Sequence, residues 1–288
     1  ETVERLLALS RTPPAGSPDA VPADLRPAVG SDAGGVPGIT HLVWPESTFP
    51  FILTRESWAI AAIARLLGDH TTLFAGAVRY EAPAPGEDRP RWYNSIYALG
   101  RGGEILAAYD KSHLVPFGEY LPFQDFLESL GLRQLTKLRG GYSSGPGVRT
   151  LDVPGLPPVG PLVCYEVVFP GEVIDPTRRP EWLLNVTNDA WYGITPGPWQ
   201  HLQQTRLRAV EEGLPVVRAA NNGVSATIDP LGRIVASLGL GPAGAVDSDL
   251  PRPLPPTFAS TWGARLAWLV ALLAFTTAFW YRVHLPRS

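Results

Sequence analysis

Methionine is absent from all 288 residues, and there is one cysteine, Cys164. A single thiol excludes an intrachain disulfide and any zinc site built from several cysteines, so whatever Cys164 does it does alone. Position 1 also lacks methionine, and the chain is therefore expected to be a fragment or a processed form. Lysine is nearly as scarce. Of 24 basic residues only Lys111 and Lys137 are lysines, a compositional bias against which any lysine asks for a reason. Charge is thin, 18% of residues with a net of −3. That leaves no broad basic surface, and no nucleic-acid partner is expected.

Apolar residues, by contrast, make up 45% of the chain, and its mean hydropathy is +0.02. This balance excludes a disordered, coiled-coil or collagen-like chain and leaves a globular or membrane-associated one. The length suits about two domains, or one large α/β or all-β unit.

Residues 1–10 read as a helix with Val3, Leu6, Leu7 and Ser10 on one face. Residues 11–38, rich in Pro, Ala, Gly and Asp without periodicity, read as a long loop. A short apolar strand over 39–44 stops at Trp44-Pro45-Glu46, which sets Glu46 just beyond it. A helix is predicted over 55–68, a strand over 72–78, and a hairpin over 93–99 and 104–109 that delivers the chain to Lys111. Strands follow at 148–153, 159–164 and 182–186. A helix over 199–212 and strands at 216–219, 225–228 and 234–238 complete the pattern. Many short strands with few long helices predict layered sheets covered by helices.

The C-terminal region differs in kind. Residues 266–281 carry no charge, and extension back to Phe258 adds only Arg265, long enough to span a bilayer. Trp262 and Trp268 stand near one end, Trp280 and Tyr281 at the other, as interfacial aromatics do. A membrane span is expected, with a buried core helix as the alternative. Arg282, His284 and Arg287 then place the C-terminus in the cytoplasm and the preceding domain outside.

Three residues invite chemistry. Cys164 ends the apolar run Pro161-Leu162-Val163, at the strand edge where α/β enzymes place catalytic groups, although a lone cysteine is also a common small core residue. Glu166, two positions on, shares its face if the strand continues, and a carboxylate there is expensive without a partner. Lys111 is either a solvated charge or a compact ammonium able to stabilise a tetrahedral oxyanion. Glu46 is either a strand-end surface acid or a third member. None of the three decides the matter alone.

Together, Glu46, Lys111 and Cys164 resemble the Glu-Lys-Cys triad of the nitrilase superfamily. The surrounding words are Trp44-Pro45-Glu46-Ser47, Lys111-Ser112-His113-Leu114-Val115-Pro116-Phe117-Gly118-Glu119, Cys164-Tyr165-Glu166, Asn188-Asp189-Ala190-Trp191-Tyr192-Gly193, Pro198-Trp199-Gln200-His201 and Arg218-Ala219-Ala220-Asn221-Asn222-Gly223. In that order they resemble the apolipoprotein N-acyltransferase family within the superfamily. The family's N-terminal membrane helices and first strand have no counterpart in this sequence.

The resemblance implies an α/β fold, a nitrilase-type α/β/β/α sandwich followed by one C-terminal transmembrane helix. Residues 1–38 would form the N-terminal helix and loop that start the domain, 39–257 the catalytic domain, 258–283 the transmembrane helix and 284–288 a cytoplasmic tail. It also implies transfer of an acyl chain from a phospholipid donor to a diacylated apolipoprotein acceptor at a bacterial inner membrane, without metal or organic cofactor. A monomer is expected.

In that reading Glu46 is the general base, Cys164 the nucleophile, and Lys111 favours the thiolate and steadies the oxyanion, with the Tyr165 backbone N–H as a second donor. Glu119 and Glu166 are supporting acids, either of which would hold Lys111 charged. Asn94 and Asn188 brace the pocket, while Asp189 and His201 do likewise or cap the helix near Trp199, and His113 is structural. Pro116, Phe117, Tyr120 and Phe123 are assigned to substrate binding. With Phe126, Leu127 and Leu130 they either dip into the membrane and admit acyl chains or pack on the core. The rivals are a membrane-tethered amidase with the same triad and a catalytically silent lipoprotein-binding domain.

Overall fold

A computed structural model describes residues 2–11, 36, 38–86, 89–136 and 140–284. Most of the loop expected over 11–38, and the tail from 285 onward, lie outside the described residues.

Helix α1 (Thr2–Leu9) turns Val3, Leu6 and Leu7 to the core, and Ser10 accepts a 3.0 Å hydrogen bond from the Trp44 indole. Strand β1 (His41–Trp44) pairs in parallel with β2 (Thr72–Glu81). Antiparallel β3 (Arg91–Leu99) and β4 (Ile105–Asp110) complete a four-stranded sheet in the order β1-β2-β3-β4. Helix α2 (Ser57–Leu67), entered through a 3-10 turn at Leu53–Arg55, packs Ala59, Ile63 and Leu66 against Leu73, Ala75 and Leu99.

The second sheet runs β5 (Val159–Val163), β6 (Trp182–Asn188), β7 (Val216–Asn221), β8 (Ser225–Ile228) and β9 (Ile234–Leu238), in that spatial order. Its first three strands are parallel and the last two antiparallel. Helix α4 (Gly197–Glu212) lays Leu202 and Ala209 on Leu183, Val216 and Ile228. Between the sheets, Phe74, Ile96, Ala98 and Tyr109 meet Val159, Val163, Trp182, Leu184 and Val186. The layers are therefore helix, sheet, sheet, helix. The inner strand β6 is buried along nearly its whole length, as parallel strands covered on both faces are.

Three expectations are corrected. Residues 148–153 form only one bridge, Leu151 to Val159, because the proline-rich turn that follows leaves room for a single pairing. Strand β5 ends at Val163 and Cys164 opens a 3-10 helix (Cys164–Val168), so Glu166 does not lie two places along a strand. The third concerns α5 (Phe258–His284), a continuous 27-residue helix. Among the described residues no helix is long and apolar enough to cross a membrane, and in α5 Arg265, Thr276 and Thr277 stand among the apolar side chains. Nor is α5 a buried core helix. Leu269, Val270, Leu273, Phe275 and Phe279 are exposed, and its start is tied to α4 by Ser260, which donates to Glu212 at 2.7 Å.

Candidate active site

Strand ends bring the sequence-predicted residues together. Pro45 interrupts pairing after β1, and the turn that carries Glu46 folds back on Gly76 of β2, whose N–H donates to the Pro45 carbonyl at 3.2 Å. Lys111 directly follows β4, its backbone N–H donating to Asn94 of β3 at 2.9 Å. Cys164 directly follows β5 with φ +50°, a left-handed conformation unusual for a side chain bearing Cβ. Asn188 closes β6.

All three triad residues are buried. Glu46 Oε1 accepts from Asn94 Nδ2 at 2.6 Å, and its Oε2 from the Asn188 backbone N–H at 2.7 Å. Lys111 Nζ lies 2.9 Å from both oxygens of Glu119. Glu119 also accepts from Asn94 Nδ2 and from the Val115 N–H, each at 2.9 Å. One amide thus joins two carboxylates, one of which grips the ammonium.

Glu166 is occupied otherwise. Its Oε1 accepts from the Tyr109 hydroxyl at 2.8 Å, from the Ser112 N–H and hydroxyl at 2.7 and 2.9 Å, and from the His113 N–H at 3.1 Å. Its Oε2 accepts from the Val163 N–H at 2.8 Å. Glu119 is therefore the acid that meets Lys111, and Glu166 ties the loop after Lys111 to the turn that carries Cys164. Tyr165 sets its ring edge on Phe169, which stacks on His113 at 4.5 Å between centroids. His113 reaches Glu172 at 2.9 Å.

Burial sets the electrostatics. It raises the Glu46 carboxyl above the ordinary glutamate range, with Lys111 and Asn94 pulling the other way. Burial, with Glu46 close by, pushes the Cys164 thiol up to about 12, against the opposing pull of Lys111 and Thr187. Burial works against the Lys111 ammonium, but Glu46, Cys164 and Glu119 outweigh it and hold it protonated. The resting set is a neutral thiol, a carboxylate made more basic than usual, and a permanent cation. A base that takes the thiol proton and a cation that steadies the resulting negative charge are what nucleophilic attack on a carbonyl requires.

Pro116 and Phe117 are exposed, Tyr120 is half-buried, and Phe123 is 85% exposed. Phe126 and Leu130 of the following turns are exposed as well, whereas Leu121 is buried and Leu127 half-buried, so the stretch packs on the core only in part. Helix α3 (Gln124–Ser129) sits within it. Because Val115 and Glu119 share the loop, the apolar surface adjoins the buried carboxylate of Glu119. A cleft of about 1630 Å³, lined by residues of α1, β1 and 241–250 among others, contains none of the triad. Among the described residues no group of three His, Cys, Asp or Glu is arranged to hold a metal ion.

Sequence reasoning missed Arg218, Thr187 and Tyr142. Burial, with Glu119 and Glu46 near, pushes the Tyr142 hydroxyl up to about 12. Arg218 carried a readable signal, a lone charge inside the apolar run of β7.

A family profile described as carbon-nitrogen hydrolase matches residues 35–254. The chain is 54% identical over 247 residues to a Rhodopseudomonas palustris protein named apolipoprotein N-acyltransferase, covering 85% of this chain and 46% of that one. It is 52% identical over 256 residues to the Bradyrhizobium diazoefficiens protein of the same name, covering 89% and 48%. The chain thus spans about half the length of the curated relatives it matches. Two solved structures share the fold. An amidase from Nesterenkonia sp. has TM-score 0.50 and 19% identity over 80% of this chain and 82% of its own. A carbon-nitrogen hydrolase from Helicobacter pylori G27 has TM-score 0.50 and 15% identity over 69% and 73%.

Proposed function

The chain belongs to the carbon-nitrogen hydrolase family, and on that premise we propose that it transfers an acyl chain from a phospholipid to the N-terminal amine of a diacylglyceryl-cysteine apolipoprotein. The observation that carries this reading is the buried Glu46, Lys111, Glu119 and Cys164 cluster beside the exposed apolar stretch of Phe117, Phe123 and Phe126. The names of the relatives favour it over hydrolysis.

Glu46 takes the proton of Cys164, and the thiolate sulfur attacks the ester carbonyl carbon of the donor. Negative charge moves to the carbonyl oxygen, where Lys111 Nζ and the Tyr165 N–H receive it. The intermediate collapses with loss of the lysophospholipid alkoxide, which takes the proton from Glu46 and leaves a thioester on Cys164. The acceptor amine then attacks the thioester carbon. Glu46 removes the proton lost as the amide forms and returns it to the departing thiolate. Asn94 and Asn188 keep the Glu46 carboxylate aimed throughout. Pro116, Phe117, Tyr120 and Phe123 receive the acyl chain.

The reading extends to place. The exposed apolar side chains of α5 and of the stretch before and within α3 suit a lipid surface, which keeps the catalytic domain at the bacterial inner membrane.

Intact-protein mass spectrometry of the full chain in phospholipid bilayers tests this, with and without a diacylated lipopeptide bearing a free amine. The expected result is a gain of one acyl group on Cys164 that persists in water and is discharged by the peptide amine. A gain lost to water alone would assign an amidase, and no gain would leave a silent binding domain.

A further inference from the structure

A second buried polar cluster reaches the nucleophile through its backbone. His201 Nε2 lies 3.1 Å from the Cys164 carbonyl oxygen, and because a carbonyl only accepts, that nitrogen carries a hydrogen and donates it. His201 Nδ1 lies 2.8 Å from Asp189 Oδ1. Asp189 also accepts from Thr187 Oγ1 at 3.0 Å and, through Oδ2, from Arg218 Nη2 at 2.7 Å. Arg218 is itself held by Asn185, by Thr205 Oγ1 at 3.2 Å and by the Val224 carbonyl at 3.2 Å. Every one of these side chains is buried, and so large a polar investment behind one carbonyl calls for a purpose beyond packing.

We infer that His201 is a positioning residue for oxyanion stabilisation, acting through the Cys164–Tyr165 peptide. The inference rests on the reading of Cys164 as the nucleophile. A trans peptide is planar, with C=O and N–H pointing in opposite directions, so fixing the Cys164 carbonyl also fixes the direction of the Tyr165 N–H. The left-handed φ of Cys164 makes such a restraint necessary, since that conformation persists in a residue with Cβ only when its surroundings impose it. Asp189 orients the ring and Arg218 anchors Asp189, so the restraint runs from β7 through α4 to the nucleophile without touching the reacting atoms.

Two reactions of the same thiol separate this role from a structural one. Alkylation by iodoacetamide passes through no oxyanion, whereas acylation by a p-nitrophenyl ester does. In His201→Ala, acylation is expected to slow by about a hundredfold through its maximal rate with little change in KM, the loss typical of one oxyanion donor. Alkylation is expected to stay within about twofold of the parent, in keeping with the intact thiol. His201→Gln, which keeps a donor near the Nε2 position, is expected to recover much of the loss and guards against a variant that does not fold. Equal slowing of both reactions in both variants, or no slowing of acylation in either, would overturn the inference. A parent protein acylated by the p-nitrophenyl ester but not by phospholipid would fail the lipid reading while leaving the His201 comparison intact. A parent acylated by neither donor would overturn both.

Discussion

Lys111 Nζ sits 2.9 Å from each oxygen of Glu119, and the two side chains are 1% and 7% exposed, so ammonium and carboxylate neutralise each other out of reach of water. Removing one partner of a buried pair leaves the other charge uncompensated and costs about 3–5 kcal/mol. Glu119→Gln is therefore expected to lower the melting temperature by several degrees and to slow thioester formation, because the ammonium then leans towards Glu46 and weakens the base. Thermal melts and single-turnover acylation read both effects. A melt unchanged from the parent would show that the pair does not hold Lys111 in place.

Charge alone does not define the ammonium's place. Lys111→Arg keeps the charge, but a planar guanidinium cannot occupy the same point between Glu119 and the sulfur. Acylation is expected to fall by at least about a hundredfold, the scale of a lost oxyanion donor. Activity near the parent level in single-turnover assays would remove the oxyanion role from Lys111.

Acylation also has a signed dependence on pH. The base must be ionised to take the thiol proton, and burial places the Glu46 carboxyl above its ordinary value of 4.5. The rate of thioester formation is expected to rise as pH rises through that elevated value. It then stays level across neutrality, because the thiol is pushed up to about 12 and gives its proton to Glu46 rather than to solvent. An acid limb at or below 4.5, or the same limb in Glu46→Gln, would assign it to another group.

Much of this site was legible because each triad residue follows the end of a strand that the apolar pattern marks. Pro45 stops β1 before Glu46, the hairpin of β3 and β4 ends at Lys111, and the run to Val163 ends at Cys164. Glu166 was harder to read. Its spacing suits the same face as Cys164 only along an extended strand, and the chain instead coils into a 3-10 turn, which carries the carboxylate to Ser112 and Tyr109. His201 reads as a helix-capping or bracing residue in sequence. Its partners Asp189 and Arg218 come from the 3-10 turn that follows β6 and from β7, and the adjacency of those strands is a matter of topology, not of spacing. Apolar content made α5 readable as a helix, but not what its exposed side chains meet.

Glycine at position 76 is a test of how tightly the base is seated. A Cβ there would stand 2.6 Å from Glu46 Cα and 2.7 Å from the Pro45 carbonyl oxygen, closer than real contacts permit. Both neighbours are backbone, and Thr48 donates to the Gly76 carbonyl at 3.2 Å, so the turn has little freedom to yield. Gly76→Ala is expected to destabilise the fold by about 1–3 kcal/mol, the usual range for overpacking, and to slow acylation by shifting Glu46 away from Asn94 and Asn188. Chemical denaturation with single-turnover kinetics measures both. A variant as active as the parent would mean that Glu46 tolerates displacement.

The exposed apolar side chains make the lipid reading separable from the chemistry. Phe123 has φ +54°, a conformation that Asp tolerates better than Phe, and Phe126 is exposed one turn further on, so aspartate at both positions removes no core contact. Folding stability is expected to change by no more than about 0.5 kcal/mol, as for surface substitutions generally. If the two rings insert into a bilayer, each contributes about 1.5–3 kcal/mol of burial, and losing both weakens vesicle binding by at least about a hundredfold. The sharper expectation is a split between donors. Acyl transfer from vesicle phospholipid should fall steeply through KM, while acylation by a small water-soluble ester should keep its rate, because Glu46, Lys111 and Cys164 lie behind the loop and are unchanged. Parallel loss with both donors would mean that these side chains shape the pocket itself, and no loss with either would leave the apolar stretch without a lipid to meet.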